Sequence, residues 1–209
     1  MIGLFFKKTI TLLTISAIAL MGSFGVISHH PTQPPVAKHR CGNFLPVEYR
    51  ELIICVSADY YQENGVRKPV GITEAKRILQ KTNSIFPTPE IVDQIYKQAD
   101  IKLSPRPLPP GPQMTSVAYS IRHNNIINEQ LVQFDTNKKL IAGHKKDIVG
   151  TNASGSRVAI YGWHRINGIP IQPYSTVHGA EYADYSHGLR LVSKRAWLNG
   201  VPVDLRDYL

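Results

Sequence analysis

Residues 157–174 read RVAIYGWHRINGIPIQPY. β-Branched and aromatic residues run up to Asn167-Gly168 and away from it, which predicts a β-hairpin. The end of the chain repeats the device: LVSKRAWL over 191–198, then Asn199-Gly200, then VPVDL over 201–205. The two turns share a form, INGIPI at 166–171 and LNGVPV at 198–203. Two such hairpins imply a β-rich C-terminal half, built as one antiparallel sheet or a partly closed barrel.

Towards the N-terminus the periodicity changes. Residues 51–61, ELIICVSADYY, read as a strand, and Asn64-Gly65 marks a turn. Thr73 is placed to cap a helix starting at Glu74, with Ile72, Ala75, Ile78 and Leu79 on one apolar face. Thr88 and Pro89 suit the N-cap and first position of a second helix, with Ile91, Val92, Ile95 and Ala99 as its buried stripe. Residues 104–112, SPRPLPPGP, hold five prolines and predict an ordered crossing loop. Residues 117–134 read equally as a helix or as a strand leading into one, with His123 on the surface. Residues 140–151 read as a strand interrupted by a polar turn. The expectation is an α+β fold: a single domain over 41–209 with a C-terminal antiparallel sheet of hairpins and two or three helices from the N-terminal half.

Residues 1–28 carry Lys7 and Lys8 and then an uncharged run from Thr9 to Met21, the pattern of a secretory signal peptide. An uncleaved N-terminal anchor is the alternative. Residues 29–40, HHPTQPPVAKHR, read as a linker. No second apolar run of that length follows, so no membrane span is expected after signal cleavage, and the domain is expected in the periplasm or secreted. Cys41 and Cys55, the only cysteines, suit one disulfide in that compartment; a buried free thiol at Cys55 is the other reading. The formal charge of +9 falls to +7 without Lys7 and Lys8. Residues 138–165 hold six Lys and Arg, Lys145 among them, against Asp147 alone. A basic exported surface favours an anionic cell-wall polymer or glycan as partner, and the compartment argues against nucleic acid. A merely solvated basic face explains the charge equally well.

The chemistry is densest over 161–190, which hold His164, His178 and His187, three of the eight histidines. His178, Asp184 and His187 are candidate ligands for a divalent metal such as zinc, although their spacing, His-x5-Asp-x2-His, matches no standard zinc signature. The H-x6-D motif of D-alanyl-D-alanine metallopeptidases is one residue longer, and its tryptophan–histidine pair follows, whereas Trp163-His164 precedes. Ser186-His187-Gly188 is similar to the SHGCxR of L,D-transpeptidases, but Leu189 stands at the cysteine nucleophile, which excludes that chemistry. A metal-free site uses His164, His178 or His187 as general base, Asp184 or Glu181 to orient the imidazole, Ser186 as a candidate nucleophile and Arg190 to stabilise negative charge. Trp163, Tyr182 and Tyr185, with Lys145, are candidate binding residues. A buried network of the same groups that only fixes loops is the plain alternative.

The series KKD (145–147), IYGWH (160–164), NGIPIQP (167–173) and HGAEYADYSHGLRL (178–191) resembles that of a group of uncharacterised bacterial exported proteins. His144 and the cysteine pair fall outside that signature. The resemblance implies that these residues form one site; it assigns no reaction. The compartment, where nucleotide cofactors are scarce, favours an exported hydrolase acting on cell-envelope or extracellular polymer. A non-catalytic module that binds glycan or peptidoglycan through aromatic and basic surface is the alternative.

Overall fold

A computed structural model describes residues 40–209. The signal peptide expected over 1–28 and all but the last residue of the linker expected over 29–40 lie outside the described residues. In chain order the elements are β1 (Leu45–Tyr49), β2 (Leu52–Val56), β3 (Gln62–Glu63), β4 (Val66–Arg67), α1 (Ile72–Lys81), β5 (Ser84–Ile85), α2 (Pro89–Gln98), β6 (Ile101–Lys102), α3 (Val117–Leu131), β7 (Ile141–Ala142), β8 (Lys146–Thr151), β9 (Val158–His164), β10 (Pro170–Ser175), β11 (His187–Gly188), β12 (Val192–Leu198) and β13 (Val201–Asp204). Short 3-10 turns at Pro112–Thr115 and Leu205–Tyr208 complete them. The fold is α+β.

Two sheets dominate. The first runs β1-β2-β12-β13, with β5 also paired to β12, and the second runs β10-β9-β8-β11. The two C-terminal hairpins therefore fall in different sheets, despite their likeness in sequence. Asn199 and Gly200 both take positive φ (47° and 85°), the two-residue turn that matches strand twist. At the other hairpin Gly168 is left-handed (φ 85°), and its N–H closes a turn onto the Arg165 carbonyl. The stretch after β10 is not wholly a loop: β11 pairs in parallel with β8, His187 opposite Lys146 and Gly188 opposite Asp147.

Helix α2 holds the sheets together. Thr88 accepts from the Ile91 N–H and Pro89 occupies the first turn. Ile91, Ile95 and Tyr96 pack with Val47, Ile54 and Val192 of the first sheet. Each fully buried aliphatic chain contributes about 1.5–3 kcal/mol of transfer free energy. Helix α1 packs Ile72, Ala75, Ile78 and Leu79 against Ile148, Val158 and Ile160 of the second sheet. Its N-cap is Gly71, not Thr73. Thr73 instead donates through Oγ1 and N to Glu181 (2.6 and 3.2 Å), whose carboxylate caps the helix N-terminus.

The stretch 117–134 resolves to the helix α3, capped by Ser116, which accepts from the Tyr119 N–H. Its buried face is polar: Ser120, His123 and Asn124 beside Ile127. Asn124 and Asn128 accept from the Arg67 guanidinium (3.0 and 2.9 Å), so the helix packs on a charge. That packing corrects the placement of His123, which is fully buried rather than on the surface. The Pro-rich stretch has no regular structure before Pro112 and is tied down at Leu108, whose N–H donates to Tyr185 Oη (2.7 Å). Cys41 and Cys55 form a disulfide. Among the described residues no helix is long and apolar enough to cross a membrane.

Candidate functional site

Strand β9 carries the feature that arranges the site. Gly162 and Trp163 both take positive φ (101° and 55°). For tryptophan this backbone costs on the order of 1–3 kcal/mol and persists only where surrounding contacts fix it. Side chains normally alternate along a strand. Alternation would put Tyr161 and Trp163 on one face and His164 on the other. Two successive left-handed residues undo it. Trp163 turns to the face of Lys146, whose ammonium lies 5.3 Å from the indole centroid. His164 turns to the face of Tyr161, and both reach Asp93 of α2.

In that cluster Asp93 is half exposed and His164 is buried (side-chain exposure 49% and 4%). His164 Nε2 and Tyr161 Oη each lie 2.9 Å from Asp93 Oδ1. The imidazole stacks on Tyr96 (4.5 Å, 15°), whose hydroxyl donates to the Arg165 carbonyl (2.6 Å). His164 Nδ1 makes no hydrogen bond among the described residues. Burial lowers the imidazole's pKa, against the raising effect of Asp93, so the neutral form prevails at pH 7. Burial and Asp93 push Tyr161 up to about 12, so the phenol keeps its proton. Asp93, Lys97, Lys102, Tyr161, His164 and Asn167 border a depression of about 370 Å³. An imidazole aligned by a carboxylate, with its second nitrogen unengaged, is suited to taking a proton from a bound group.

His178, Tyr182, Asp184, Ser186 and His187 form a second cluster, away from His164. His178 stacks on Tyr182 (4.1 Å), and its ring lies 6.3 Å from that of His187. Asp184 Oδ1 accepts from the Ser186 N–H and hydroxyl (2.8 and 2.5 Å), and Oδ2 from Tyr182 (3.2 Å). His187 Nε2 is 4.0 Å from Asp184 Oδ2, and both ring nitrogens are buried without a partner among the described residues. Burial lowers the His187 pKa, and Asp184 opposes this. The expected metal triad does not fit. Ligands share an ion at about 2.0–2.2 Å, whereas both Asp184 oxygens are engaged elsewhere. Among the described residues no three His, Cys, Asp or Glu side chains gather as a metal would need.

The remaining candidates are structural. Ser186 is fully buried, with its hydroxyl on Asp184, out of reach of a substrate. Arg190, expected to stabilise negative charge, is fully buried and donates to the Ser57 and Ile141 carbonyls (2.9 and 2.8 Å) over the Tyr60 ring. Tyr185 anchors Leu108. Lys145, expected on a basic surface, is fully buried and donates to the Tyr185 carbonyl (2.6 Å); burial and the nearby Arg67 lower its pKa to about 7. Trp163 is buried and Tyr182 half-buried against His178, so of the tryptophan and tyrosines along this stretch Tyr174 is the one well exposed. Glu181 serves α1.

Several residues escaped sequence reasoning. Asp93 lies within a helix read only as packing, and its one signal is an acid flanking the apolar stripe at Ile91, Val92 and Ile95. Asp59 binds Arg67 through Oδ2 (2.6 Å) and His144 Nε2 through Oδ1 (2.9 Å). Burial pushes the Asp59 carboxyl up, but His144 and Arg67 outweigh it and hold its pKa far below the usual range. Asp147 accepts from Tyr60 Oη (2.8 Å), and burial raises it to about 7 against the pull of Arg190. Compared with known family models, curated proteins and solved structures, the chain matches none.

Proposed function

We propose that this protein is an exported hydrolase acting on an envelope or extracellular polymer, with His164 as general base and Asp93 as the residue that orients it. The observation that carries the reading is the Asp93–His164 contact at the border of an open depression. Water held at Nδ1 gives its proton to the imidazole as its oxygen attacks the scissile centre. Asp93 stabilises the imidazolium, which then protonates the leaving group. Tyr161 donates to the same carboxylate oxygen and limits its movement. The disulfide supports an oxidising compartment. The Asp184–His187 cluster takes a supporting part: it anchors the loop that follows β10.

The test is release of soluble fragments from purified envelope polymers, peptidoglycan first, by the parent protein, His164→Gln, Asp93→Asn and His178→Ala. His164→Gln should lower turnover by about 100- to 10,000-fold, while His178→Ala stays near the parent. Full activity in His164→Gln, with loss in a folded His178→Ala, would move the chemistry to the second cluster and sink this assignment. No fragment release from any envelope polymer by the parent would overturn the hydrolase reading.

A further inference from the structure

A basic groove lies on the other sheet, around β12 and β13. Two adjoining depressions of about 380 and 350 Å³ share Asn83 and Arg195 as lining residues. Lys194 and Arg206 border the first and Arg40 borders the second. Among the described residues Asp204 is the one acid lining either, and Arg206 neutralises it through a two-oxygen contact (2.5 Å to Oδ2, 2.9 Å to Oδ1). Lys194 and Arg195 take part in no salt bridge among the described residues. Neither depression shares a lining residue with the one beside His164.

The groove is held in place. Arg40 lies over the Trp197 ring (4.8 Å) and donates to the Gly200 carbonyl (2.9 Å). The adjacent Cys41 is tied to Cys55 of β2. The pairing of β5 with β12 sets Ser84 opposite Ser193, and the Lys194 N–H donates to the Asn83 carbonyl (3.1 Å). With Arg206 and Asp204 cancelling, Arg40, Lys194 and Arg195 remain, and three uncancelled cations select an anion. Two depressions side by side select an anion that repeats.

We propose that this groove binds a linear polymer bearing one oxyanion, phosphate or carboxylate, on successive units, so that adjacent units occupy the two depressions. The site is for docking and stands apart from the chemistry assigned to His164. The occupant is a soluble chain whose successive oxyanions reach both depressions; binding to a bilayer instead is an outcome of the test.

The test measures binding of the purified protein to polygalacturonate, long-chain polyphosphate, neutral dextran and phosphatidylglycerol vesicles. Both polyanions should bind and dextran should not. Lys194→Ala/Arg195→Ala should weaken polyanion binding roughly tenfold and lower the slope of log K against log salt by about two. Lys138→Ala/Lys139→Ala, outside the groove, should leave both quantities unchanged. Binding of one polyanion alone identifies the oxyanion and upholds the proposal. Equal losses in the two double variants, parental binding by the groove variant, or binding to vesicles without binding to either polyanion would overturn it.

Discussion

His123→Leu isolates one buried ionisable group. The imidazole is fully buried, edge-on to Tyr185 (4.9 Å) and Trp163 (6.1 Å), and neither ring nitrogen makes a well-formed hydrogen bond among the described residues, the Arg106 backbone being a weak partner at most. Burial, then the charges of Lys145, His144 and Arg67, lowers its pKa to about 3. An unfolded histidine titrates near 6.5. Between these values the unfolded chain binds a proton that the folded chain refuses, so stability falls as pH falls. The slope is about 1.4 kcal/mol per pH unit, or about 2 kcal/mol lost by pH 5. Native stabilities of about 5–15 kcal/mol make that readable. The total profile does not isolate it: His144, lowered to about 4 by burial, acts in the same direction, whereas Asp147, raised to about 7 by burial, opposes it. The difference between parent and variant does. Leucine has nearly the volume of histidine and removes two nitrogens without a well-formed hydrogen bond, so His123→Leu should be more stable at pH 7 by about 1 kcal/mol or more. It should also lose about 2 kcal/mol less than the parent between pH 7 and pH 5. Urea unfolding at pH 7, 6 and 5 measures both. Parallel curves for parent and variant would show that the proton uptake is not at His123 and would refute the reasoning.

Gly162→Ala should cost about 1–3 kcal/mol, because alanine at φ 101° is strained and its Cβ would lie 3.2 Å from Val92 Cγ1. Relaxing φ at position 162 would turn the backbone that aims His164 at Asp93, so polymer cleavage should fall by more than the stability loss explains; equal activity per folded molecule would detach β9 geometry from the site. Cys41 and Cys55 are 14 residues apart, and replacing both by serine should cost about 3 kcal/mol in a thermal melt. An unchanged melting temperature on mild reduction would show that this loop is already ordered by Phe44 and its neighbours.

Local signals carried much of the fold. The Asn-Gly turns, the Thr88-Pro89 helix start and most of the apolar stripe of α2 are contacts between near neighbours and stand where the sequence puts them; Ala99 is instead the half-buried C-cap, and Tyr96 is buried in the stripe. The partition of the two hairpins between sheets is set by β5 inserting beside β12 and by α2 between the layers, both long-range packing. Helix α3 was ambiguous because its buried face is polar, with Arg67 as the partner its asparagines satisfy. Lys145, Arg190 and Ser186 read as functional because polar groups normally stay in water. Here backbone carbonyls and Asp184 satisfy most of their hydrogen bonds inside the fold.

The signature residues also divide by face, which no linear pattern shows. YGWH places three polar or aromatic side chains in a row, and regular alternation would keep Tyr161 and His164 apart. The left-handed pair Gly162-Trp163 reverses that parity, at a cost that buried contacts must offset. The strain has a chemical result: a phenol and an imidazole meet one carboxylate on α2, while the indole is sent to the opposite side to pack over Leu108 and Tyr185. A strand under selection for stability alone gains nothing from a left-handed tryptophan. Its presence beside the Asp93–His164 contact is therefore the reason to look for function on the α2 side of the sheet, rather than among the more conspicuous histidines beyond β10.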